Sequence, residues 1–240
     1  GETVALMMKN RPEYVMTWLG LAKAGIVTAF LNPDARGRVL EHALEATGAR
    51  AAICGSECLE QFDSLDPAKR PARFCELGNF LTDPADGERT PFGRAMLAAS
   101  PEDLGPAARE GVKLGDDFVY IFTSGTTGLP KAARLNHFRF ITAGDTTVRA
   151  MNVTPADVHY CVLPLFHGAG GMVVPMTSIF AGIPFVGVLV QPDDGGWWLA
   201  REQRFACLHE ADSLAVRLPL PCAMSPVAVS ADRRASEAGR

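Results

Sequence analysis

The sequence predicts an α/β fold, a helix-flanked and largely parallel sheet. Three observations carry that reading. Short apolar runs alternate with segments of helical periodicity from residue 3 to residue 55. A second apolar run, FVYIF (118–122), leads directly into a glycine- and hydroxyl-rich loop. From Val158 to Pro192 there is no Asp, Glu, Lys or Arg. An alternating strand–helix order favours parallel strands covered by helices.

TVALMM (3–8) is a short apolar run of buried-strand character. Asn10 can cap a helix, and Pro12 falls where a first helical turn tolerates proline. Val15, Trp18, Leu19 and Ala22 recur at helical spacing, and Gly25 ends that helix. IVTAFL (26–31) is the next strand. Val39, Leu40, Ala43 and Leu44 mark a second helix face, stopped by Gly48, before ARAAICG (49–55) returns to strand.

Residues 63–117 have a different texture. Prolines at 67, 71, 84, 91, 101 and 106 punctuate every candidate element, which predicts mostly irregular surface chain. The uncharged span 158–192 exceeds the roughly 20 residues a membrane helix needs. Pro164, Pro175, Pro184 and its glycines break it repeatedly, so strand, loop, buried helix and strand inside a core is the expectation.

Composition narrows the function classes. The chain has 240 residues, 48% hydrophobic and 21% charged, with net charge −4. That is an ordinary globular balance, and its mild acidity argues against a nucleic-acid partner. Six cysteines (54, 58, 75, 161, 207, 222) are scattered without a CxxC pair, which predicts free thiols in a reducing compartment. GETVALMMKN has no secretory leader pattern, and its abrupt apolar start suggests further sequence upstream.

The stretch TSGTTGLPK (123–131) has almost nothing apolar to bury. It offers hydroxyls at Thr123, Ser124, Thr126 and Thr127, unobstructed amides at Gly125 and Gly128, and a cation at Lys131. Such a loop suits a polyphosphate, because amides and hydroxyls can wrap phosphate oxygens while a lysine neutralises charge. Neither GxxxxGK[ST] nor GxGxxG is matched, since Pro130 stands where the former needs glycine. A solvent-exposed polar turn has the same composition.

YIFTSGTTGLPKAA (120–133) resembles the signature loop of the AMP-forming adenylating enzymes. With His137, LPLFH (163–167), KNRPEYVMTWLGLAKAG (9–25) and FLNP (30–33), it is similar to the fatty acid transport protein and very-long-chain acyl-CoA synthetase branch. The resemblance covers about residues 1–186 and implies an incomplete large N-terminal domain of an acyl-adenylating enzyme. It implies that Thr123, Ser124, Gly125, Thr126, Thr127, Gly128 and Lys131 bind the β- and γ-phosphates of ATP. His167 would lie near the acyl-adenylate, or be a hydrogen-bonded core histidine; His137 is open between structure and function. ATP, Mg²⁺, CoA and a long-chain fatty acid are the implied small molecules. A cytoplasmic place, or a peripheral one on the cytoplasmic side of a membrane, is the implied location.

The family also carries a YGxTE-like stretch, a ribose-holding aspartate and a lysine in a mobile C-terminal domain. None is found in these residues. Residues 187–240, with adjacent tryptophans and a Pro/Ser/Ala/Arg-rich end, are expected to be a divergent, poorly structured tail of a truncated or frame-shifted product. On that expectation the chain is an inactive ligase relative; the rival reading is a non-catalytic nucleotide- or lipid-associating fragment.

Overall fold

A computed structural model describes residues 2–79, 84–100, 102, 104–123, 129–187, 189–190, 197–198, 206–208 and 215–217. Strand β1 (Thr3–Met7) runs into helix α1 (Pro12–Lys23), then β2 (Val27–Leu31), α2 (Gly37–Thr47) and β3 (Ala51–Gly55). β1 pairs in parallel with both β2 and β3, with Leu6 opposite Phe30 on one side and Ile53 on the other. The βαβαβ expectation holds. Gly25 (φ +70°) and Gly48 (φ +62°) take the left-handed backbone just past the two helices, where a side chain would be strained.

Both faces of this sheet are covered. Val4, Leu6 and Met8 of the first strand region join Tyr14 and Trp18 of α1, Phe30 and Ile53 in one core. Ala5 and Met7 point the other way, to Leu40, Ala43 and Leu44 of α2 and to Phe62 of α3 (Leu59–Asp63). The period-2 geometry of a strand thus feeds two cores at once. Val39 differs from the expectation: it is exposed, because the apolar stripe of α2 that meets the sheet is Leu40, Ala43, Leu44 and Thr47.

The proline-rich stretch is more regular than its composition predicts. Arg73–Leu77 forms β4, parallel to β3 at the sheet edge. Pro84 opens α4 (Pro84–Arg89) and Pro91 opens α5 (Pro91–Ala98), while Pro67 and Pro106 open short 3₁₀ turns. A first helical turn has no use for the missing N–H, so these prolines start elements instead of breaking them.

β5 (Asp117–Thr123) lies parallel to β2, and β6 (Lys131–Asn136) returns antiparallel to it, giving the order β4-β3-β1-β2-β5-β6. Asn136 then caps α6 (His137–Ala150), its Oδ1 accepting the Arg139 N–H at 2.9 Å. Phe140 of α6 packs edge-on against Phe118 and Trp18, closing the first core.

The uncharged span folds as expected. β7 (His159–Cys161), a loop, a π-helical turn (Ala169–Val173), α7 (Val174–Ala181) and β8 (Phe185–Gly187) follow in order, with β7 and β8 parallel. No helix among the described residues is long and apolar enough to cross a membrane. Further on, β9 (Leu189–Val190) pairs with β10 (Trp197–Trp198), and β11 (Ala206–Leu208) lies between β7 and β12 (Ala215–Arg217). The rest of 187–240 lies outside the described residues.

Two expected outcomes follow. Trp18 is fully buried among aromatic rings, and its indole N–H has no partner among the described residues. Trp18→Ala should cost about 3–5 kcal/mol in urea unfolding, and Trp18→Phe, which removes the unpaired donor while keeping a ring, distinctly less. His159 is fully buried against Ser178 (2.8 Å), and burial holds its pKa below the ordinary value. Below about pH 6.5 the unfolded chain therefore takes up a proton that the folded chain resists, so stability falls as pH drops through that window. His159→Gln should flatten this slope in denaturation midpoints measured from pH 7.5 to 5.5.

Candidate functional site

The carboxyl ends of β1, β2 and β5 share one edge of the sheet, the edge where open α/β folds bind ligands. Three pieces of chain converge on that edge.

The first is the β5–β6 hairpin. Thr123 and Lys131 are cross-strand partners, and the Thr123 hydroxyl reaches the Lys131 carbonyl at 3.5 Å. Both residues are exposed. β5 and β6 thus pair as an antiparallel return, which sequence patterning left unread because KAARLN has no strand-like alternation. Its far end is tethered from outside: the His42 ring Nε2 donates to the Pro130 carbonyl at 3.1 Å, from α2. Ser124, Gly125, Thr126, Thr127 and Gly128 lie outside the described residues.

The second is the segment Leu163–His167. Asn10, just past β1, donates from Nδ2 to the Leu163 carbonyl at 2.9 Å and accepts the Leu165 N–H at Oδ1 at 2.8 Å. This corrects the reading of Asn10 as a helix cap. The residue flanking α1 is Arg11, without a side-chain capping bond, because the amide of Asn10 is engaged across the fold. The His167 N–H closes a turn onto the Pro164 carbonyl at 3.1 Å, and its exposed ring leans on Phe166 with centroids 4.5 Å apart. Gly170 and Gly171 are buried against this segment: a Cβ on Gly171 would overlap the Leu165 carbonyl oxygen, and one on Gly170 that of Pro164.

The third is a fastening beneath the edge. Arg11, nearly fully buried, donates from Nη2 to the Leu77 carbonyl at 2.7 Å at the end of β4. Its Nη1 lies 3.3 Å from the Glu57 carboxylate, which also accepts the Lys9 N–H at 2.9 Å. The ends of β1, β3 and β4 are thereby tied into one platform. Burial pushes the Cys54 thiol up strongly and that of Cys58 to about 12, so both stay protonated and neither supplies a nucleophile. Cys54, Cys58 and Cys75 are free thiols.

His137 belongs elsewhere. As the first residue of α6 it stacks on Phe118 (4.6 Å) at the opposite, amino edge of the sheet. That edge holds an open cavity of about 610 Å³ lined by Gly25, Asp117, Tyr120, Arg134 and His137. Within it Asp117 accepts from the Tyr120 hydroxyl and the Arg134 Nε, each at 3.0 Å, and the guanidinium holds the carboxyl below its usual range. His137 thus lies at the opposite edge of the sheet from the β5–β6 turn, packed on Phe118.

A strand-to-loop edge with these motifs has known counterparts. The AMP-binding enzyme family model matches residues 1–221. The chain belongs to the AMP-binding enzyme family. It is 36% identical over 193 residues to the mouse (Mus musculus) long-chain fatty acid transport protein 1, covering 78% of this chain and 29% of that protein. To the human (Homo sapiens) long-chain fatty acid transport protein 6 it is 34% identical over 177 residues, covering 72% and 27%. The chain thus spans well under a third of the length of these relatives. Among solved structures, ATP-bound MatB from Rhodopseudomonas palustris superposes with a TM-score of 0.64 at 26% identity, covering 80% of this chain and 36% of that one. The long-chain-fatty-acid-CoA ligase FadD1 from Archaeoglobus fulgidus shares the fold, with a TM-score of 0.61 at 22% identity over 77% and 34%.

In this AMP-binding family member the glycine packing is directly testable. Gly171→Ala should destabilise the chain by about 1–3 kcal/mol, because a backbone carbonyl must shift. Gly168→Ala, where a Cβ meets nothing within 4 Å, should leave the melting temperature almost unchanged.

Proposed function

We propose that the hairpin connection 123–131 holds the β- and γ-phosphates of ATP for the activation of a long-chain or very-long-chain fatty acid. The observation that carries this reading is the pairing of Thr123 with Lys131 across the hairpin at the carboxyl edge, in a chain of the AMP-binding enzyme family. A hydroxyl, glycine amides and a lysine cation would then face departing pyrophosphate, where negative charge accumulates. The carboxylate oxygen attacks the α-phosphorus, the bond to the bridging oxygen breaks, and acyl-AMP and pyrophosphate result. CoA sulfur next attacks the acyl carbon, its thiol proton is lost and AMP leaves. His167 is assigned to the acyl-adenylate side of the site.

Mg²⁺ is proposed to arrive on the phosphates. Among the described residues no group of three or more His, Cys, Asp or Glu could hold a metal, so no step is drawn through a protein-held ion. The fatty acid and the thiol acceptor are proposed from the names of the relatives, and a peripheral membrane association on the cytoplasmic side from the resemblance to the fatty acid transport protein branch. We place the adenylating portion at residues 1–186 and a divergent segment at 187–240, a division that limited proteolysis would measure against the family match running to residue 221.

A second reading is nucleotide binding without turnover. Both readings share one requirement. Lys131→Ala should weaken ATP binding by about 1.5–3 kcal/mol, tenfold to hundredfold, and leave AMP affinity almost unchanged. Titration calorimetry with ATP, AMP and pyrophosphate measures this; equal loss for ATP and AMP, or no loss, refutes the phosphate role. Acyl-CoA formed from ATP, CoA and palmitate by the 240-residue chain would decide for the ligase reading over the second one.

A further inference from the structure

The side chain of Asn10 makes two hydrogen bonds to main chain more than 150 residues away. Its carbonyl oxygen and amide nitrogen take the place of a neighbouring strand for the two groups that flank Pro164, the Leu163 C=O and the Leu165 N–H. Pro164 has no N–H of its own to offer, and the Leu163 carbonyl also accepts a weaker contact from the Cys161 thiol at 3.6 Å. Leu163 and Leu165 are both buried, and Leu165 joins the core cluster of Leu6 and Phe30. On the far side, Gly170 and Gly171 press against the Pro164 and Leu165 carbonyls at a distance only glycine allows. The segment is thus held between the end of β1 and the π-helical turn, and His167 projects from it two residues beyond the clamp.

We propose that Asn10 is a positioning residue: it transfers the rigidity of β1 to His167, so that the histidine's place at the carboxyl edge is set by β1 and not by β7, the strand that precedes it in sequence. The functional side of this inference rests on the reading of His167 and the 123–131 loop given above; the structural side stands on the two hydrogen bonds. Only a planar amide of this length offers one donor and one acceptor side by side. An ionised aspartate would turn an oxygen toward the Leu163 carbonyl, whereas a protonated one would restore a donor there.

The test uses the 240-residue chain, with hydrogen exchange at the Leu165 amide and the His167 imidazole resonances read by NMR. Asn10→Ala should speed Leu165 exchange about tenfold and move the His167 resonances toward those of an unstructured peptide, while Ile53 and Phe30 amides keep their protection. Asn10→Asp should behave like Asn10→Ala at pH 7 and recover Leu165 protection on acidification. The native fold binds the protonated acid better, so its carboxyl pKa is raised and the clamp is present below it and lost as pH rises through it. Unchanged Leu165 protection in Asn10→Ala overturns the proposal. Equal loss of protection at Ile53 also overturns it, because Asn10 would then serve general stability. If Asn10→Ala does not fold, the pH-dependent recovery in Asn10→Asp decides alone. ATP titration of Lys131→Ala separates the two readings: if ATP affinity there is unchanged, the phosphate role fails while the clamp is still judged by Leu165 and His167.

Discussion

The fold depends on β1 being closed in on every side. It has a parallel strand on each flank and an apolar core on each face, so none of its backbone groups or side chains has room to relax. A strand in that position can be neither an edge nor a surface. Its two-sided burial accounts for the near-continuous apolar run at residues 3–8, because a strand covered on both faces has no solvent side to make polar.

Rigidity at β1 becomes useful at its end. Four consecutive residues from Met8 to Arg11 leave the strand, and two of them reach across the molecule. Arg11 ties the ends of β4 and β3 to β1 through Leu77 and Glu57, and Asn10 takes hold of the Leu163–His167 segment. Burying the Arg11 guanidinium would be costly alone, but a carbonyl and a carboxylate share its donors. The β5–β6 hairpin is held differently. Its strands lie two and three positions from β1 in the sheet, about 10 and 14 Å across the ladder, and its exit is pinned by His42 of α2. The two halves of the candidate site therefore rest on separate supports that share one sheet edge.

Family membership fits this division. The ATP-bound neighbour superposes over four fifths of this chain. Neutral, buried Cys54 and Cys58 beneath the edge add packing without adding reactive groups.

Local patterning was enough to read β1, α1, β2, α2, β3 and β5, since apolar period, prolines at helix starts and glycines at helix ends are short-range signals. It also placed the polar loop at the end of β5 and the uncharged span in a core. What it could not supply were partners distant in sequence. Asn10 reads as a cap because caps are local, while its true partners are Leu163 and Leu165, near only after the sheet has formed. Prolines of 67–106 read as breakers until the sheet offers an edge for β4 to join. His137 and His167 look alike in the chain, yet the antiparallel turn of β6 carries one to the amino edge while the Asn10 clamp keeps the other at the carboxyl edge. Residue chemistry alone determined which groups are available to a phosphate. Strand order and long-range hydrogen bonds decided where they stand, because a side chain's address is set by what its backbone pairs with and not by its neighbours in sequence.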